Sequence, residues 1–344
     1  MKAIRYHRYG GPEVLEVEDV DPPTIGDDDV LVRVRAAAVN PYDWHMMRGE
    51  PRLMRLRFGL RAPRDPRMGI DVAGVVEAVG ADVTRFDVGD EVLGRCAGGA
   101  LAELTAVAAG LLVHKPSGVS FEQAAAVPAA AKTALQALRD GGRIEPGHSV
   151  LVNGASGGVG TFAVQIARSF GADVTAVAST ANLDLLAEIG ATHVIDYTEE
   201  DFTGRPSRYD VVFDAIGNHR LSRCRRVVAP GGTYLMVGAP SGRWLRPFDR
   251  MIALRLMSLF GRTRMVSVQA RPSLDDVRML RDMLADGVIV PVIDRTFPLS
   301  GAAEAIAHLE AGHARGKVVV TVSKPAGRVK PRRKNARRTS PASR

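Results

Sequence analysis

The chain has 344 residues, 46% of them hydrophobic, 24% charged and 5% aromatic, with a formal net charge of +8. That balance excludes a disordered or fibrous polypeptide and supplies enough chain for one large or two ordinary domains. Two cysteines far apart in sequence, Cys96 and Cys224, exclude a disulfide framework and a spaced cysteine metal site. From the N-terminus, MKAIRYHRYGG lacks the apolar core of a signal peptide. Short strands and turns follow: VLVRVRAAAV (30–39), DVAGVVEAVG (71–80) and DEVLG (90–94) are β-rich and punctuated by glycine. They predict a barrel-like β domain over roughly the first 120 residues. FEQAAAVPAAAKTALQALRDGG (121–142) is helical and interrupted at Pro128.

From Ser149 strand and helix alternate. SVLVNG (149–154), DVTAVAS (173–179), THVIDY (192–197), YDVVFDAIG (209–217) and GGTYLMVG (231–238) read as buried strands, and MVSV (265–268) as a sixth. GGVGTFAVQIARSFG (157–171) and NLDLLAEIG (182–190) read as helices between them. This alternation demands a parallel sheet with helices on both faces, the doubly wound α/β arrangement. LDDVRMLRDMLADG (274–287) and SGAAEAIAHLEAG (300–312) are amphipathic helices, and KVVVTV (317–322) is a last strand. MIALRLMSLFG (251–261) is too short and too charged to span a bilayer, and no run of about 18 apolar residues occurs elsewhere. A cytoplasmic protein without a membrane span is expected. The final residues, 323–344, hold nine Lys and Arg and no acid, so the high net charge belongs to them and the rest is nearly neutral. Such a segment cannot bury a core and is expected to be disordered. A weak attraction to nucleic acid or an anionic surface is one reading of it. A solubilising extension is the favoured one, because no aromatics interleave the charge.

The sharpest motif is LVNGASGGVG (151–160), in which an apolar strand runs through Ala155-Ser156-Gly157-Gly158-Val159-Gly160 into an apolar helix. Gly157 lets the backbone approach a pyrophosphate, Gly160 lets the helix pack closely, and the helix start offers free N–H groups to the anion. Its place between a predicted strand and helix is the context that distinguishes a dinucleotide site from a glycine-rich turn. An NAD site places an acid about 20 residues further on, at the end of the second strand. Residues 177–182 contain none, and Ser179, Thr180 and Asn182 can hydrogen-bond to a 2′-phosphate, so NADPH is preferred over NADH. Tyr197, at a strand end, is placed to stack near the adenine.

Taken together, AAVNPYDWHMMRG (37–49), GIDVAGVVEAVGADVTRFDVGDEVLG (69–94), AAAVPAAAKTALQAL (124–138), LVNGASGGVG (151–160), YDVVFDAIG (209–217) and ARGKVVVTV (314–322) resemble the medium-chain dehydrogenase/reductase superfamily, over all but the tail. Within it the chain is similar to the quinone oxidoreductase branch that lacks zinc. The resemblance implies a Rossmann domain (124–271) inserted in a GroES-like β-rich catalytic domain (1–123 and 272–322), with the tail at 323–344. It also implies a homodimer formed through the Rossmann edge strand MVSV, and a substrate cleft between the domains. Zinc-dependent relatives place a Cys in the segment matched by Val39–Asp43 and a His in that matched by Gly69–Asp71; here these read VNPYD and GID. A catalytic zinc needs about three Cys, His or carboxylate ligands, so no metal site is expected.

Without a metal, the oxygen gaining charge during hydride transfer needs another donor. Asn40 is the first candidate, as the resemblance suggests. His45, where relatives often place Tyr or Lys, is read either as a proton donor near neutral pH or as an exposed loop histidine. Trp44 is read as an apolar wall and Asp43 as a structural acceptor of loop amides. By similarity Thr133, and less firmly Lys132, touch the phosphates or nicotinamide. Ala215, Ile216 and Gly217 end the fourth strand, Gly238 and Ala239 end the fifth and grip the carboxamide, and Lys317 pairs with a phosphate. The arginines of residues 47–69 and the basic–apolar segment 244–262 are read as solvated side chains over apolar stems. The resulting function is NADPH-dependent, zinc-independent hydride transfer to a quinone, enone or related small carbonyl compound. The alternatives are a zinc-type NAD(P)-dependent alcohol dehydrogenase and a non-catalytic NADPH-sensing or nucleic-acid-docking protein.

Overall fold

The structure is a computed structural model and describes residues 1–239, 248–259 and 262–322. Its first part runs β1 (Lys2–Arg5), β2 (Glu16–Asp19), β3 (Asp29–Val39), α1 (Pro41–Arg48), α2 (Arg55–Phe58), β4 (Asp71–Val79), β5 (Glu91–Arg95), β6 (Leu104–Ala108) and β7 (Leu112–His114). In β3, valines and alanines alternate with Asp29, Arg33 and Arg35, the period-2 pattern of a strand with one wet face. β3 pairs antiparallel with β4 and β6, and β4 with β5. The helical stretch follows as α3 (Phe121–Ala126) and α4 (Ala130–Gln136), broken at Pro128 as the sequence predicts. Ser120 caps α3: its hydroxyl accepts the Gln123 amide at 3.1 Å and the Gln123 side chain accepts the Ser120 amide at 3.0 Å.

The alternating segment is β8 (Ser149–Asn153), α5 (Gly160–Ser169), β9 (Asp173–Ala178), α6 (Leu183–Glu188), β10 (His193–Asp196), β11 (Tyr209–Asp214), α7 (Leu221–Arg226), β12 (Val228–Met236), α8 (Phe248–Leu259) and β13 (Arg264–Ser267). The six strands form a parallel sheet in the order β10-β9-β8-β11-β12-β13. That is the doubly wound order 3-2-1-4-5-6, with its switch point between β8 and β11. Val150, Leu151 and Val152 are fully buried because helices cover both faces. β13 closes one edge of the sheet. The first helix is shorter than predicted: residues 154–159 are turn, and regular helix starts only at Gly160.

Chain return completes the first sheet. After α9 (Leu274–Ala285) come β14 (Ile293–Pro298), α10 (Ala302–Glu310) and β15 (Lys317–Thr321). β15 pairs antiparallel with β3, Val318 opposite Val39, and β14 lies parallel beside β15. Three residue clusters fill the interior: one around β3, β4 and β15, one between α3, α4, α5 and the parallel sheet, and one on that sheet's other face against α7 and α8. No helix among the described residues is long and apolar enough to cross a membrane. The basic tail and residues 244–247 and 260–261 of the second basic segment lie outside the described residues.

Candidate active site

The glycine bend follows β8 directly. Ala155 is buried, and its amide donates to Val177 O at 3.1 Å, tying the bend to β9. A Cβ on Gly160 would lie 2.1 Å from Gly154 O and 2.8 Å from Ala155 Cα, so only glycine lets α5 start there. The close packing is against the bend itself rather than along the strand. A Cβ on Gly157 would meet only Gly154 O, at 3.4 Å. That face of the bend is open, and among the described residues nothing accepts the amide hydrogen of Val159, whereas Gly158 is turned to Gly316 O by the parallel bridge between Gly157 and Gly316. A bare amide at the start of a ten-residue helix beside open backbone fits a diphosphate. On the other side the catalytic half grips the bend. Gly316 N–H donates to Ser156 O at 2.8 Å, and a Cβ on Gly158 would touch Lys317 Cδ at 3.1 Å.

A cleft of about 610 Å³ opens beside the bend, within the range of small-molecule sites. It brings together Trp44 and His45 from α1, Val159 from the bend, and Ala215, Ile216, Gly238 and Ala239 beyond the carboxyl ends of β11 and β12. This is where ligands lie in open parallel sheets. Gly238 packs so tightly that a Cβ would fall 1.8 Å from Ala215 O. A second cavity of about 220 Å³ holds Asn40, Thr133 and Val159 with Tyr42, Arg95 and Lys132. Ser179, Asn182 and Tyr197 sit apart from both cavities, beyond β9 and β10, and Asn182 Nδ2 donates to Ser179 Oγ at 3.1 Å and Ser156 Oγ at 3.4 Å. Tyr197 is 58% exposed.

Several side chains have other tasks than those expected. Asn40 is buried; its Nδ2 donates to Ala38 O at 3.2 Å and Asp71 Oδ2 at 3.0 Å, and its Oδ1 accepts from Lys317 Nζ at 2.6 Å. Reversing the amide would face NH₂ to the ammonium and oxygen to the carboxylate, so both protons are engaged inward and none is free for a substrate oxygen. Lys317 is not a phosphate ligand for the same reason: its buried ammonium faces Asn40 and, at 4.0 Å, Asp71. Burial pushes the Asp71 carboxyl up and the Lys317 ammonium down, and each partly restores the other's charge. Asp43 accepts the Asn40 amide at 2.7 Å, and burial pushes its carboxyl up to about 7.

His45 does not serve as an acid in this arrangement. Burial lowers its pKa, and Nδ1 meets Glu50 O at 3.1 Å, so the neutral ring donates there and leaves Nε2 an acceptor. The ring stacks on Trp44 with centroids 3.7 Å apart. The Thr133 hydroxyl donates to Ala129 O at 2.7 Å in its own helix. The amides of Ile216 and Gly217 donate to Asp214 Oδ1 at 3.1 and 2.7 Å rather than to a cofactor. Thr180 is also engaged: its hydroxyl donates to Asp196 Oδ2 at 2.5 Å. The window 177–182 contains no acid, but the parallel pairing of β10 with β9 sets Asp196 opposite Ala178 and brings a carboxylate in from the neighbouring strand. Of the arginines in residues 47–69, Arg48 forks onto Glu310 of α10, Arg55 binds Gly49 O at 2.9 Å, and Arg67 pairs with Asp65 at 2.7 Å, so they hold loops rather than border the cleft.

Sequence reasoning missed the support behind the loop. Asp214 also accepts from Asn153 Nδ2 at 2.8 Å and the Tyr234 hydroxyl at 2.6 Å, clamping the ends of β8, β11 and β12 together. It also missed Tyr42 and Arg95; the adjacency of Tyr42 to Asn40 in NPYDW was the available signal for the first. Among the described residues no cluster of three or more His, Cys, Asp or Glu is placed to hold a metal.

Known proteins share this arrangement. Residues 26–133 match the family described as alcohol dehydrogenase GroES-like domain, and residues 189–320 that described as zinc-binding dehydrogenase. The chain is 36% identical to a 2-methylene-furan-3-one reductase of Solanum lycopersicum, over 93% of this chain and 79% of that one. It is equally similar, at 36% with the same coverage, to an NADPH-dependent alkenal/one oxidoreductase of Arabidopsis thaliana. The structure of an Escherichia coli quinone oxidoreductase complexed with NADPH superposes with a TM-score of 0.77, at 26% identity over 93% of this chain and all of that one. From the bend, the cleft and these likenesses, the chain belongs to the quinone oxidoreductase-like branch of the medium-chain dehydrogenase/reductase superfamily.

Proposed function

We propose that the protein is an NADPH-dependent, zinc-independent oxidoreductase that reduces a quinone, an enone or a related small carbonyl compound. The observation that carries this is the open Gly157 face and the bare Val159 amide beside a cleft whose far wall is Trp44 and His45. A reduced nicotinamide dinucleotide bound there supplies a hydride. The Val159 amide and the open Gly157 face hold its diphosphate, and Ala215, Gly238 and Ala239 bound the nicotinamide end. Tyr42 lines the adjoining cavity; burial raises its pKa, so it stays a phenol at neutral pH and donates to the carbonyl oxygen. His45 Nε2 accepts from a hydroxyl or amide of the bound molecules.

Zinc independence rests on the donor set. Where a metal would sit between Asn40 and Asp71, an ammonium already lies 2.6 Å from Asn40 Oδ1. Cys96 is buried, with its thiol pushed up to about 11, so it stays protonated rather than ligating. The preference for NADPH is supported by Ser179 and Asn182 near the bend and by the NADPH dependence of the similar alkenal/one oxidoreductase. The same reading takes residues 1–123 and 272–322 as the catalytic domain, 124–271 as the Rossmann domain, and β13 as the edge through which two copies pair.

Mixing purified protein with NADPH and a quinone–enone panel tests this through loss of reduced-cofactor absorbance. Saturable turnover that survives chelation is expected, with NADH the poorer donor. Cofactor binding without turnover across the panel refutes the activity, and zinc retained near one per chain after dialysis refutes the metal-free chemistry.

A further inference from the structure

Arg95, at the end of β5, and Lys132, in α4, both line the 220 Å³ cavity and a neighbouring one of about 190 Å³. Lys132 is 3% exposed, yet among the described residues its ammonium has neither a hydrogen bond nor an ion pair. The Arg95 guanidinium has none either among them; it lies over the Tyr42 ring, 5.9 Å from the centroid. The acids nearest them make their polar contacts elsewhere: one oxygen of Asp71 with Asn40 and Lys317, Asp43 with the Asn40 amide, and Asp276 with Gln136 and Arg139. Two cations facing one cavity with no carboxylate in direct contact repel each other, and Lys132 is largely desolvated, an arrangement that an entering anion relieves. Hydride addition to an enone builds one negative charge on one oxygen, and only in transit. Two permanent cations exceed that need.

We infer that, granted the enone-reductase reading above, the preferred substrate carries a permanent carboxylate close to its reducible double bond. Arg95 and Lys132 hold the carboxylate, the guanidinium through its paired N–H groups and the ammonium as a point charge. The double bond then lies toward Thr133 and Val159, beside the nicotinamide end of the cleft.

The test compares 4-oxo-2-pentenoic acid with its methyl ester as substrates of the full-length protein with NADPH. Binding of the saturated acid and its ester to the protein–NADP⁺ complex is measured in parallel by calorimetry. The acid is expected to exceed the ester at least about tenfold in kcat/KM and in affinity, the worth of one charge-assisted hydrogen bond. That ratio should shrink toward one in Lys132→Met and Arg95→Met, while NADPH affinity changes much less. An ester handled as well as the acid by the unaltered protein overturns the inference and leaves enone reduction standing. A parallel loss of NADPH affinity in both variants overturns it too, by assigning the cations to the cofactor. Acid-selective binding without reduction of either compound supports the carboxylate site and sinks the enone-reductase reading.

Discussion

Replacing two glycines of the bend one at a time by alanine separates its two tasks. At Gly160 the added Cβ would sit 2.1 Å from Gly154 O and 2.8 Å from Ala155 Cα, so backbone must move by about an ångström. Overpacking of this kind costs about 1–3 kcal/mol, which for a domain of this size lowers Tm by roughly 2–4 °C per kcal/mol. At Gly157 the Cβ meets one atom at 3.4 Å, an ordinary contact, so the fold is nearly indifferent to it. There the methyl group occupies the space a diphosphate needs. Loss of one charge-assisted hydrogen bond, worth about 1.5–3 kcal/mol, weakens nucleotide affinity roughly 10- to 150-fold. Thermal denaturation without nucleotide and fluorescence titration with NADPH read the two effects. Gly160→Ala should lose stability. Gly157→Ala should keep its Tm and lose affinity. Equal affinity in Gly157→Ala and the unaltered protein would refute the assignment of the open face to the diphosphate.

Three further outcomes follow from the buried polar groups and the ribose end. Asp43, with a folded pKa of about 7 against an ordinary 3.8, keeps its proton where the unfolded chain has lost it. Its contribution to stability is therefore full below about pH 4, falls as pH rises toward 7 and is flat above, by at most about 4 kcal/mol. Urea unfolding near pH 5 and near pH 7.5 should show a smaller drop in Asp43→Asn than in the unaltered protein. Lys317→Met leaves the Asp71 charge buried and the Asn40 carbonyl without its donor, a loss of about 3–5 kcal/mol by urea titration. Asp196→Asn removes the carboxylate beside Thr180, so the ratio of NADPH to NADH affinity should rise; a fall would place the 2′-phosphate elsewhere.

The parallel sheet was legible because strands buried on both faces read as unbroken apolar runs, and Val150 to Val152 and Val211 to Phe213 are such runs. The bend was legible because its neighbours are local: strand before, helix after. Contacts made across the fold were not. Asn40 carries the signature of an active-site amide, but Lys317 reaches it from 277 residues away and Asp71 from 31, and those two decide where its protons point. Asp196 lies outside the window that a single strand–turn–helix rule inspects; strand pairing supplies it. His45 shows the same limit, since its protonation follows from burial and from the Glu50 carbonyl rather than from residue type.

The junction between Gly316 and the bend has a mechanical consequence. Ser156 O, Gly157 and the Lys317 stem fasten β15 to the nucleotide loop, and the far end of Lys317 fastens β15 to Asn40. A displacement of the loop on nucleotide arrival is therefore delivered along one side chain to the wall of the reaction chamber. Any opening between the two halves must pivot about this seam, while the Arg48–Glu310 pair, which joins α1 to α10 within one half, moves as part of that half.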